Sequence, residues 1–195
     1  MFSPLLNASS PYETGEDSVK LPGFRSFKTA ASIVYPRRWH RDLLIQATLD
    51  PAVDAIEPDG TRFADPGVFG IHVRVGGRRY HLIAASDISD PALAVSSGRA
   101  LVSRAYLLSE PRCSTARTIW STRRTLIAPG DRLRVLHRLD SQAGGATIAS
   151  LAGCVRSTDA DPFDVLLALV CEGQAELDAG VLLSPETLIR RRQPA

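Results

Sequence analysis

The sequence predicts an α/β protein, a mixed β-sheet flanked by helices followed by a small unit of three helices and a β-hairpin. Three observations predict it. Residues 36–48 set Trp39, Leu43, Leu44 and Ala47 along one stripe of a helix, with Arg37, Arg38, Arg41 and Gln46 mostly on the other side. Residues 68–75 and 79–85 are runs rich in apolar and β-branched side chains, and Gly76-Gly77 between them signals a tight hairpin. From Pro129 onward the apolar spacing is helical three times over.

Each element has its own justification. Residues 1–20 are polar and turn-rich, and read as a tail. Segment 22–35 carries Phe24, Phe27, Ile33, Val34 and Tyr35, and reads as a strand pair or an extended arm. Asp50-Pro51 ends the first helix, because the residue before proline is pushed out of the α region. Residues 52–57 are then extended. The run 79–85 becomes wholly apolar at its end, which predicts a central strand. Beyond the loop at 87–92, residues 99–108 show Ala100, Leu101, Ala105 and Leu108 at helical spacing, and 117–127 form an extended or helical connector.

The last part reads as helices at 130–140, 147–155 and 161–172. Asp131 lies near the start of the first, Thr147 caps the second, and Asp161 caps the third with Pro162 in the first helical position. A hairpin of 174–177 with 181–183 and an Arg190–Arg192 exit follow. Three helices and a β-wing resemble a winged helix-turn-helix. The chain therefore divides into a tail (1–20), a sheet domain (21–128) and a winged-helix-like domain (129–195).

Composition narrows the function only a little. The formal charge of +2 does not by itself indicate nucleic acid. Lys20 and Lys28 are the only lysines, so nearly all the positive charge is arginine. Arginine forks onto phosphates and guanine edges, although a GC-rich coding sequence gives the same bias. Cys113, Cys154 and Cys171 are far apart and suggest neither a disulfide framework nor a zinc site, which fits a reduced, cytoplasmic setting. No signal peptide or membrane span is expected.

Residues 21–28 and 35–58 resemble the start of the amino-terminal domain of TnsA-type transposon endonucleases, members of the PD-(D/E)XK nuclease superfamily. Ser26, Lys28, Tyr35, Arg41, Asp42, Asp50, Pro51 and Val53 stand where that family carries its G-x-x-x-S-x-K segment, its E-R-D helix and its D-P-x-V corner. The resemblance implies a mixed nuclease sheet and a two-metal carboxylate site. The chain departs from it where the chemistry would lie. His40 replaces the helix glutamate, Phe69-Gly70 falls at the P-D of the second strand, and 83–86 offers no acid-x-lysine. Two-metal hydrolysis needs converging carboxylates, so no catalytic residue, metal ligand or cofactor is expected.

The remaining constellations each have a plain reading beside the functional one. His40 is a metal ligand or a replacement left after catalysis was lost. His72 and His81 can approach across the hairpin, but no further ligand is obvious, so they also read as strand-face residues. Asp50, Asp54, Glu57, Asp59 and Asp65, with Asp87, form either a displaced acidic site or ordinary turn chemistry. No Gly-x-Ser-x-Gly elbow or phosphate loop is present.

The arginines are the candidate contacts with DNA: Arg25, Lys28, Arg37, Arg38, Arg41, Arg117, Arg123, Arg124, Arg190, Arg191 and Arg192, the lysine and Arg25 through the family resemblance. Scattered solubilising charge is the alternative reading. The third helix of the winged unit offers Asp161, Asp164, Ala168 and Glu172, which suits neither a groove nor phosphates. The leading expectation is an inactive nuclease-fold protein that binds DNA as a regulator or architectural subunit of mobile-element origin. A metal-dependent endonuclease with a relocated carboxylate site is one alternative. A module that binds a protein partner or a second copy of itself is the other.

Overall fold

A computed structural model describes residues 22–60, 67–86, 94–96 and 98–193. The expected tail, together with Asp65 and Asp87, lies outside the described residues. Two short strands open the fold, β1 (Gly23–Phe24) and β2 (Ile33–Val34), paired antiparallel. Helix α1 (Arg38–Leu49) follows and buries the expected stripe of Trp39, Leu43, Leu44 and Ala47.

A mixed sheet forms the centre, built from β3 (Val53–Pro58), β4 (Val68–Val75), β5 (Arg78–Ala85), β6 (Ala94–Ser96) and β7 (Arg99–Ser103). Its order is β3-β4-β5-β7-β6. The first three strands form an antiparallel meander, and β7 runs parallel to β5. Alternation along β4 decides its two faces. Phe69, Ile71 and Val73 join Ala84, Val102 and the buried face of α1 in one core. Each fully buried side chain of that size contributes about 1.5–3 kcal/mol relative to exposure. Gly70, His72 and Arg74 alternate with them, paired to Ile83, His81 and Arg79 on the opposite face.

The stretch 99–108 corrects its helical reading. Residues Arg99–Ser103 are strand, and helix α2 is confined to Arg104–Leu107. The open edge of β5 needs hydrogen-bond partners, and β7 supplies them, overriding local apolar spacing. Ser103 then turns the chain into α2 by accepting from the Tyr106 amide at 3.1 Å. The connector at 117–127 is helical only to Ser121, where α3 (Arg112–Ser121) ends, and turns beyond it.

The last part comprises α4 (Pro129–Asp140), β8 (Ala146–Thr147), α5 (Ile148–Ala152), α6 (Pro162–Cys171), β9 (Ala175–Glu176) and β10 (Leu188–Arg191). Thr147 and Asp161 cap α5 and α6 as the sequence predicts. The strand order is β8-β10-β9. The wing differs from its reading, because β9 pairs with β10 and not with 181–183. Asp178 accepts from Gly180 N, and Ser184 and Thr187 bond each other's backbone neighbourhood, so 178–187 loops away from the pair. Arg190 and Arg191 are therefore strand residues, not a trailing exit.

Helix α6 is apolar on all sides because it is covered on all sides. Val165 through Cys171 are buried, Ala168 included, which corrects its reading as exposed. The helix packs against α3, α5 and α1, and one continuous core joins residues from both sides of the expected boundary near 128.

Candidate nucleic-acid interface

The positions that the TnsA resemblance sets against metal ligands carry packed side chains. His40 on α1 is fully buried, and its ring stacks on Phe69 at 4.8 Å between centroids. Phe69 pairs with Ala84, itself fully buried, so β4 and β5 set a phenyl ring and a methyl group side by side here. Neither nitrogen of His40 has a hydrogen-bond partner. Burial and the nearby Arg37 push its pKa down to about 4, so the ring is neutral and packs as an apolar plate.

Arginines gather at the N-terminal end of α1. Arg37, Arg38, Arg104 and Arg117 line a cleft of about 420 Å³, and Arg37, Arg38, Arg41 and Arg117 line a neighbouring one of about 500 Å³. Arg104 is the member the sequence did not suggest. It reaches this place because β7 delivers it to the start of α2, and local spacing carried no sign of that. Arg123 and Arg124 extend the group. The pKa of Arg123 is pushed below its ordinary value by burial and by neighbouring Arg41 and Arg124. Its guanidinium lies 5.6 Å from the Trp120 ring centre and donates to the Trp120 carbonyl.

Asp42 lines the second of these clefts and is the one carboxylate among the described residues that border either. It is buried and takes a forked pair from Arg117, at 2.8 Å from Nε and 2.7 Å from the terminal nitrogen. That pair raises the pKa of Arg117 and fixes its guanidinium against α1. Helix α1 begins at Arg38 with no side-chain cap, so the partial positive charge of its N-terminus adds to the same field.

The other predicted cations lie elsewhere. Lys28 is buried, not exposed to DNA, and its ammonium donates to the carbonyls of Ala47 (3.3 Å) and Asp50 (2.5 Å) at the C-terminal end of α1. Burial, with Arg192 nearby, pushes its pKa down to about 7. Arg191 is bound to Asp140 and the Gln174 carbonyl, and Arg192 reaches the Val53 carbonyl while covering the Phe27 ring. Arg190 donates to the Gly144 carbonyl. Lys28 therefore lies at the opposite end of α1 from the clefts, and the helix's 12 residues span about 18 Å. Arg25 is exposed on the loop after β1. A further cationic cleft, of about 620 Å³, includes Arg134, His137, Arg138 and Arg156 in the last part of the chain. Within it Arg134 is already paired with the buried Asp131.

The described acids do not converge on a second centre. Asp50 accepts from Ala52 N, Asp54 from Gly76 N, and Glu57 pairs with Arg74 and Arg79. Asp59 instead meets His72 and His81, its Oδ1 lying 3.1 and 3.3 Å from their Nε2 atoms. The approach of the two histidines was legible, since a two-residue turn at Gly76-Gly77 makes 72 face 81. The third partner was not, because it depends on the pairing of β3 with β4, which contains a register shift. The cysteines are free. Burial raises the pKa of Cys171 to about 12 and that of Cys113 above its ordinary value.

No helix among the described residues is long and apolar enough to cross a membrane. No protein-family model, characterised protein or solved structure matches the chain.

Proposed function

We propose that this chain is a non-cleaving, nuclease-fold DNA-binding protein that acts as a regulator or architectural subunit of a mobile element, with the arginine clefts at the start of α1 as its phosphate-binding surface. The observation that carries the reading is the convergence of Arg37, Arg38, Arg41, Arg104 and Arg117 around two adjoining clefts, with Asp42 lining one of them. Supporting the nuclease-like part is the sequence α1-β3-β4-β5, followed by β7 parallel to β5. The buried His40–Phe69–Ala84 layer supports loss of cleavage, since two-metal hydrolysis needs carboxylates there. Three helices with strand order β8-β10-β9 support the winged-helix likeness. In this reading the third helix, α6, serves the core and not a DNA groove, because its middle is buried against α1, α3 and α5.

The test is fluorescence anisotropy with labelled duplex and single-stranded DNA, run beside a plasmid-nicking assay with Mg²⁺ or Mn²⁺. Binding that weakens about 100-fold or more between roughly 50 and 200 mM salt is expected if about five phosphates are engaged. No nicking should accompany it. Absence of DNA binding at low salt overturns the proposal, and metal-dependent nicking by the purified chain favours the relocated-site enzyme.

A further inference from the structure

We infer that Asp59, His72 and His81 form a binding site for a divalent transition-metal ion of the zinc or cobalt kind, on the sheet face turned away from α1. His72 and His81 are directly opposed on the antiparallel strands β4 and β5, and their rings lie 4.8 Å apart. Asp59 follows β3 by one residue, and β3 pairs with β4 on its other side, so three consecutive chain passes each deliver one ligand. The three ligand atoms lie within 4.8 Å of one another. The contacts of 3.1 and 3.3 Å from Asp59 Oδ1 to the two Nε2 atoms match the separation of neighbouring ligands held about 2.1 Å from one ion, which is about 3.0–3.4 Å.

Two features favour an ion over a simple carboxylate bridge. His81 Nε2 is sealed from solvent and makes no hydrogen bond of acceptable geometry, despite its nearness to Asp59. A buried polar atom in that state normally has a partner. Gly70 supplies the room: a Cβ there would lie 2.8 Å from His81 Nε2 and 2.9 Å from Asp59 Oδ2. Two imidazoles and one carboxylate select zinc-like ions over magnesium or calcium, which favour all-oxygen shells. Three protein ligands also leave a coordination position for water or an outside group. The site is separate from the arginine clefts, and its failure would leave the DNA-binding proposal standing.

The full chain, stripped with a chelator and dialysed, is titrated with Zn²⁺ by calorimetry and with Co²⁺ by visible absorption. One ion per chain is expected, with a cobalt spectrum of mixed nitrogen and oxygen ligation and a raised melting temperature. His72→Asn, His81→Asn and Asp59→Asn should each weaken binding about tenfold or more. His137→Asn, on the exposed side of α4, should leave it unchanged. Circular dichroism of each variant without metal separates lost ligation from lost folding. Gly70→Ala, which retains every ligand and fills the room beside them, gives a second route to the same loss. Zinc binding that is absent, that exceeds one ion with equal weak affinity, or that survives both histidine substitutions overturns the site.

Discussion

The two ends of α1 carry similar cations to opposite ends. At its C-terminal end Lys28 and Arg192 are spent inside the protein, on the carbonyls of Ala47, Asp50 and Val53 and on the face of Phe27. At its N-terminal end Arg37, Arg38, Arg41 and Arg117 border open clefts, with Asp42 among them. A carbonyl group at a helix end is a fixed acceptor that needs a donor, so a cation that reaches it is consumed by the fold. Arginines at a helix start meet a like-signed end instead, so no helix-end carbonyl draws them into the fold, and the proposed phosphate surface rests on that difference. The availability of a charge is set by what the backbone beside it lacks.

The comparison predicts the largest effect from charge reversal at the open end. Arg38→Glu with Arg41→Glu should weaken DNA binding by about 10–100-fold and lower its salt dependence by about two phosphate contacts. Arg192→Glu, made at the closed end, should change affinity little. Equal losses from both would erase the distinction between the ends.

Lys28 sharpens the closed end. Its folded pKa, about 7, lies below that of an unfolded lysine, so between roughly pH 7 and 10 the unfolded chain holds more protons and stability rises with pH. Chemical denaturation of Lys28→Met should lack that rise, a difference on the order of 2–3 kcal/mol between pH 7 and 9.5. Identical slopes in the two proteins would mean that Lys28 stays fully charged inside.

His40 tests the packed layer under the first turn of α1. Its pKa of about 4 is below the unfolded value, so the stability it contributes is present above about pH 6.5 and is lost as the pH falls toward 4. His40→Phe should reduce acid destabilisation in that window by on the order of 2 kcal/mol, read as the difference from wild type in urea titrations at pH 7 and 4.5. A variant that loses stability at neutral pH would show a hydrogen-bonded imidazole instead of an apolar plate.

The smallest effect belongs to Asp42. Asp42→Asn removes the charge that holds Arg117, and should cost about 1 kcal/mol of stability because Arg117 is half exposed. The same change should raise DNA affinity a few-fold by freeing a guanidinium in the cleft. Lower affinity would mean that the ion pair positions Arg117 for binding.

Much of the fold is legible in the sequence. The α1 stripe, the β4–β5 hairpin with its Gly76-Gly77 turn, and the caps at Thr147 and Asp161 each depend on residues within one turn or one hairpin of each other. Residues 99–103 were misread because their strand state answers the unpaired edge of β5, distant in sequence. The wing was misread for the same reason: β10 lies past the loop at 178–187, and only its pairing with β8 and β9 reveals it. The candidate sites split along the same line. Arg37, Arg38 and Arg41 could be picked out on one exposed helix face, whereas Arg104 and Asp59 enter their clusters through β7 and the β3–β4 register.

By itself the sequence determined which segments are helix or strand where apolar period and turn residues agree. It also determined that a histidine, a phenylalanine and an alanine stand where the TnsA resemblance would set metal-binding residues. Tertiary structure alone decided which cations are bound to backbone carbonyls, that α6 is an interior helix, and that one aspartate meets two histidines. Those outcomes depend on backbone groups and strand registers brought together from far along the chain, and a charge's neighbours in sequence carry no record of them.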